Sequence, residues 1–154
     1  MDRVFLDANV LYSAAYIERS GLARLWTLKN IELLTSAYAI EEARNLMIDR
    51  AEAIQRFTRL VTSLSTSDAP QDLKLPKNIR LDAKDQPILL SAIHSKADYL
   101  LTGDARHFAH LYGKRIEGVL VLRHRRSISS TTSRREATPR VFYTGRFSSL
   151  RGKC

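Results

Sequence analysis

Val4-Phe5-Leu6-Asp7-Ala8-Asn9-Val10-Leu11 joins a short apolar run to a carboxylate and then to helix-forming text. The run reads as a buried strand and Ala8 to Ile17 as the helix it feeds, so Asp7 falls where a strand ends and a helix begins. Open α/β sheets bind their ligands at that edge. Tyr99-Leu100-Leu101-Thr102-Gly103-Asp104 repeats the arrangement nearly 100 residues later. Carboxylates gathered at one sheet edge repel, so the group must protonate, scatter or take up a cation. A hard divalent ion is the simplest remedy.

Working outward, the chain alternates between strand and helix. Leu22, Leu25 and Trp26 stand at helical spacing after the break at Ser20-Gly21, and Ile31-Glu32-Leu33-Leu34-Thr35 reads as a second strand. Helices are expected over Ala37 to Met47 and roughly Asp49 to Leu60, with a short third strand over Leu60 to Leu64. Residues 65 to 82, carrying Pro70 and Pro76, read as a surface connection, and Asp85 opens a helix to Ala97. Asp98 to Thr102 is the fourth strand, a short helix around Arg106 to Leu111 stops at Gly113, and Gly118 to Leu122 is a fifth, apolar on both faces. Such alternation implies an α/β fold with parallel pairing and right-handed crossovers. With the first strand central and the second and fourth beside it, Asp7 and Asp104 face each other across the switch point.

Each acid has a plainer reading. A lone strand-end Asp can simply cap the next helix. Asn9 weighs toward a site at Asp7, because an amide two residues on can orient the carboxylate or a ligand water. At Asp104, Gly103 permits close approach and the Thr102 hydroxyl can reach the cleft. Between Glu41 and Glu42, a turn of about 100° per residue puts Glu42 beside the apolar stripe of Ala39, Ile40, Ala43, Leu46 and Met47, and Glu41 opposite it. Glu42 is therefore the candidate. Asp85 is a competent N-cap with Pro87 in the first turn, which leaves it free to be a ligand as well. Asp82, between Arg80 and Lys84, is expected in solvent and ranks second. Arg106 and His107, directly after Asp104, are candidate phosphate contacts. Trp26, Phe57 and Phe108 read as core.

Composition narrows the class. At 154 residues and 44% hydrophobic, the chain suits one domain with an ordinary core. The sole cysteine is Cys154, so no internal disulfide can form, and a cytoplasmic protein without membrane insertion is expected. The net charge of +9 is concentrated at one end. Residues 123 to 154 hold nine Lys/Arg and one acid; removing these from the totals of 25 and 16 leaves 16 basic and 15 acidic side chains in the first 122 residues. The body is nearly neutral, and the charge describes an Arg/Ser/Thr-rich extension expected to be loosely attached. The domain is expected over residues 1 to 122.

Four fragments in order, Val4-Phe5-Leu6-Asp7-Ala8-Asn9, Ile40-Glu41-Glu42-Ala43, Asp82-Ala83-Lys84-Asp85-Gln86-Pro87 and Thr102-Gly103-Asp104-Ala105-Arg106-His107-Phe108, resemble the PIN domain family. Likeness is greatest to the bacterial toxin ribonucleases of toxin-antitoxin pairs and covers residues 3 to 122. The resemblance implies a three-layer α/β/α sandwich around a mostly parallel sheet of four or five strands. It also implies a Mg²⁺ or Mn²⁺ site and hydrolysis of RNA phosphodiester bonds, with an antitoxin protein and a second copy of the chain as partners. By position, Asp7, Glu42, Asp85 and Asp104 match the acidic metal-binding and catalytic set, with Asn9 and Thr102 in support. The chain departs from the pattern in two ways. Ala105, Arg106 and His107 follow the fourth acid where many relatives place another, which leaves the number of ions open, and residues 123 to 154 have no counterpart.

Two rival classes remain at this level. A PIN-like fold could keep its acids and serve as a non-catalytic interaction module. A phosphatase with Asp7 as nucleophile would also use strand-end acids, but Asn9 stands where such sites carry a second carboxylate.

Overall fold

The computed structural model describes residues 1–124, so the expected basic extension lies, beyond His124, outside them. Strand β1 (Asp2–Leu6) feeds helix α1 (Ala8–Tyr16), and a 3-10 turn (Gly21–Thr27) leads to β2 (Ile31–Thr35). Helices α2 (Ala37–Asn45) and α3 (Ala51–Val61) precede the two-residue β3 (Ser65–Thr66). The long connection ends at α4 (Gln86–His94), followed by β4 (Tyr99–Thr102), the short α5 (Ala105–Phe108), β5 (Arg115–Ile116) and β6 (Val119–Arg123).

The sheet order is β3-β2-β1-β4-β6-β5, parallel throughout except for the β5–β6 hairpin. The first strand is central, flanked by β2 and β4, as the alternation predicts. Chain direction reverses at β1, since β1→β2→β3 runs one way and β4→β6 the other. Right-handed crossovers then place α1 to α3 on one face and α4 and α5 on the other, a three-layer α/β/α sandwich. Val4, Phe5, Leu6, Tyr99, Leu100 and Leu101 are all buried, as strands covered on both faces require. Phe57 and Phe108 lie in the core, and the indole of Trp26 donates to the Leu60 carbonyl at 3.0 Å.

Two expectations need correction. The third strand is not Leu60–Leu64: Leu60 and Val61 finish α3, and β3 pairs beyond them, Leu34 with Ser65 and Thr35 with Thr66. The helical face of α3 claims those apolar residues. The sheet also has six strands, because Arg115–Ile116 folds back on Val119 through Glu117 and Gly118, at φ 47° and 88°. Positive φ at both central residues is the turn geometry that matches strand twist.

The 65–82 connection is tied down. Both oxygens of Asp68 accept backbone N–H groups at the start of α2, Ala37 at 2.9 Å and Tyr38 at 3.2 Å, and the Ala69 N–H donates to the Ser91 hydroxyl at 3.0 Å. Among the described residues no helix is long and apolar enough to cross a membrane.

Candidate metal centre

Register delivers the first and fourth acids to one place. Leu6 pairs with Leu101, and the Asp7 N–H continues the ladder to the Leu101 carbonyl at 3.1 Å. The Thr35 hydroxyl closes the other side by donating to the Leu6 carbonyl at 3.0 Å. Asp7 is thus fixed from both neighbouring strands and only 5% exposed. Its Oδ1 accepts the Ala8 N–H at 2.6 Å and its Oδ2 the Thr102 hydroxyl at 2.7 Å. Asp7 thus caps α1 with one oxygen and meets the end of β4 with the other.

Asn9 and Thr102 bind the two strand ends together. The Asn9 Oδ1 accepts the Gly103 N–H at 2.8 Å, while its Nδ2 stands 3.5 Å from Asp7 Oδ2. The Thr102 hydroxyl, besides donating to Asp7, accepts the Asp104 N–H at 3.2 Å. One fully buried hydroxyl therefore touches both acidic positions. Asp104 caps α5, with Oδ1 accepting the His107 N–H at 3.3 Å.

Glu42 is half-buried and Glu41 exposed, as the helix geometry predicts. Asp85 stands at the N-cap of α4 without making a side-chain cap bond. Its Oδ2 is buried and accepts no hydrogen bond. Burial pushes the Asp7 carboxyl from 3.8 up to about 6, against the pull of the Thr102 and Ala8 donors and with added repulsion from Asp85 and Glu42. Asp85 is also raised, first by burial, with His107 opposing and Asp104 reinforcing. These four acids share one electrostatic environment. Asp7 and Asp85, both destabilised by burial and by neighbouring acids, and Asp85 with an orphaned oxygen, fit a divalent cation.

His107, a candidate phosphate contact, lies among carboxylates. Its Nδ1 lies 2.7 Å from Asp104 Oδ2 and 3.4 Å from Asp85 Oδ2, and its Nε2 lies 3.3 Å from Asp82 Oδ2. The ring is hydrogen-bonded to the Asp104 carboxylate and has those of Asp82 and Asp85 as neighbours. Arg106 is exposed on the same turn. Asp82 is exposed as expected, yet it belongs to this group through His107.

Tyr38 escaped the sequence reading. Its hydroxyl donates to the Lys84 carbonyl at 2.8 Å, and burial followed by the charge of Glu42 pushes it up to about 12. It lies one helical turn before Glu42, on the same face, and couples α2 to the turn carrying Asp85. The i,i+4 spacing was the available signal. Tyr38→Phe is expected to cost about 1 kcal/mol of stability and to lower metal affinity severalfold, read by calorimetric titration with Mn²⁺. Unchanged affinity would remove Tyr38 from the site.

None of the curated proteins matches this sequence. Among solved structures, VapBC2 from Rickettsia felis, bound to a DNA fragment from their promoter, superposes with TM-score 0.55 at 14% identity, covering 80% of this chain and 99% of that one. VapC20 of Mycobacterium tuberculosis, a sarcin-ricin loop cleaving toxin, gives TM-score 0.46 at 17% identity, over 63% and 86% of the two chains. The first likeness is one of fold. In sequence, the PIN domain profile matches residues 3–106, which takes in all four acids and the central strands that align them. The chain belongs to the PIN domain family.

Proposed function

We propose that this protein is a divalent-metal-dependent endoribonuclease, the toxin of a toxin-antitoxin pair, with Asp7, Glu42, Asp85 and Asp104 holding Mg²⁺ or Mn²⁺. The observation that carries the reading is Asp7: a buried carboxylate, raised to about 6, in the field of Glu42 and Asp85. A structural role alone gives no reason for a fold to keep that charge there. When bound, such an ion supplies an activated water and positive charge for the phosphate.

The chain's own residues set the geometry. Asn9 and Thr102 hold the ends of β1 and β4 in fixed relation, so Asp7 and Asp104 cannot drift apart. Tyr38 ties the Glu42 helix to the Asp85 turn. No described side chain need serve as nucleophile. Arg106, exposed beside Asp104, is the residue we assign to meet a phosphate of the substrate, its exposure in support. The basic residues after 122 add affinity for a polyanion without sequence preference. Family membership and the likeness in fold to VapBC2 support an antitoxin partner in the cytoplasm, and the same reading allows a homodimer.

Cleavage of single-stranded and structured RNA by the full-length protein, with Mg²⁺, Mn²⁺ or excess chelator, tests this. Metal-dependent products that vanish with chelator are expected. Products that persist in chelator would refute the metal role, and RNA left intact with either metal would favour a non-catalytic interaction module.

A further inference from the structure

Charge in the described body changes sign after the fourth acid. Residues 1–104 hold 13 basic and 14 acidic side chains, whereas residues 105–124 hold Arg106, Lys114, Arg115 and Arg123 against Glu117 alone. Cations thus gather in the elements that follow β4. Sheet register brings one of them to the metal centre: Arg123 ends β6 opposite Thr102, whose hydroxyl touches both Asp7 and the Asp104 N–H. The Arg123 side chain is exposed, and among the described residues no carboxylate stands within ion-pair distance of it.

Tyr112 converges on the same point. Its hydroxyl donates to the Thr102 carbonyl at 3.3 Å, and the next residue, Gly113 at φ 76°, donates its N–H to the Val121 carbonyl at 2.8 Å. The ring is therefore pinned beside β6, two residues short of Arg123. Burial pushes the phenol up to about 12, with Arg123 opposing and Asp104 and Asp7 reinforcing, so it stays neutral within reach of those charges. The hydroxyl is anchored while the residue remains only half-buried. An aromatic ring fixed in this way offers a face to a base, and a guanidinium beside it offers a fork to a phosphate. Those are two parts of one nucleotide.

We propose that Tyr112 and Arg123 form a nucleotide subsite beside the metal centre, the ring stacking on an unpaired base and the guanidinium pairing with the phosphate next to it. The inference builds on the reading of the site as an RNA nuclease and narrows its substrate. A base held inside a duplex has no free face, so the RNA is single-stranded at one nucleotide flanking the scissile phosphate.

Anisotropy titration of the full chain with a fluorescent single-stranded RNA in chelator, paired with steady-state cleavage of the same RNA in Mn²⁺, tests the proposal. Tyr112→Leu should weaken binding roughly tenfold or more, whereas Tyr112→Phe, which keeps the ring and loses the hydroxyl, should bind nearly as wild type. Arg123→Gln alters an exposed side chain, so folding is not in question. It should weaken binding and reduce the slope of log affinity against log salt by about 0.7. Both losses should appear in KM rather than kcat. An abasic nucleotide moved along the RNA should find one position where wild type loses affinity and Tyr112→Leu loses none. Tyr112→Phe as weak as Tyr112→Leu, a wild-type salt slope in Arg123→Gln, or no position-specific abasic effect would overturn the subsite. RNA bound with these dependences and never cut would refute cleavage and leave the subsite standing. Cleavage with both variants at wild-type KM would do the reverse.

Discussion

Asp7→Asn is expected to abolish RNA cleavage, with a loss on the order of a thousandfold, while making the metal-free domain more stable at neutral pH. Asparagine keeps an oxygen for the Ala8 N–H and removes the buried charge. The sign follows from the direction of the shift. Asp7 is raised in the folded protein from 3.8 to about 6, so below 3.8 it is protonated in both states and its burial carries no charge penalty. Between those values the folded state holds a proton that the unfolded state has released, and stability falls as pH rises. Above about 6 the deficit is complete, on the order of 3 kcal/mol at most. The variant escapes it. Melting curves in chelator should therefore diverge as pH is raised from 4.5 to 7.5, with the variant higher by several degrees. Saturating Mn²⁺ should raise the wild type more than the variant. A variant less stable than wild type in chelator at pH 7.5 would show that the buried charge is compensated within the protein, and retained cleavage would remove Asp7 from the chemistry.

That opposition between stability and activity also explains what was legible in the sequence. Strand-end acids advertise themselves because an apolar run broken by a carboxylate is anomalous for a core: Val4-Phe5-Leu6 stopping at Asp7, and Leu100-Leu101-Thr102 at Asp104, fix both the strands and the switch point between them. Helix periodicity was enough to prefer Glu42 to Glu41. Pairings that depend on chain segments far apart left weaker traces. Nothing local marks Ser65–Thr66 as a strand, since β3 has two residues, both exposed, and exists by pairing with β2. The β5–β6 hairpin hides for a similar reason: its turn is Glu117-Gly118, and Glu is not a residue that signals positive φ. Asp82 looked like ordinary surface because its partner His107 is 25 residues away in sequence. A salt-bridge partner of that kind has no period to detect.

Thr102→Val should produce the second large effect, because the hydroxyl it deletes serves both acids at once. Valine matches the shape and suits a buried strand. Packing is therefore nearly preserved. What disappears is the donor to Asp7 Oδ2 at 2.7 Å and the acceptor for the Asp104 N–H at 3.2 Å. Each group left unsatisfied costs about 1–3 kcal/mol, and Asp7 can lower its share by keeping a proton. The Thr102 donor lowers the Asp7 carboxyl, so its removal must push that group further up. Cleavage should fall roughly 10- to 100-fold, as for loss of a group that orients metal ligands. The deficit should be greatest at and below pH 6 and shrink toward pH 8, as the acid limb of the rate profile moves upward. Thr102→Ser restores the hydroxyl without the methyl, and should recover the profile at the cost of a small cavity. A packing role predicts the opposite ordering, with Val close to wild type and Ser impaired, and a deficit that does not vary with pH. The pH dependence of the Val variant therefore decides whether Thr102 acts on the charge of Asp7 or merely fills the end of β4.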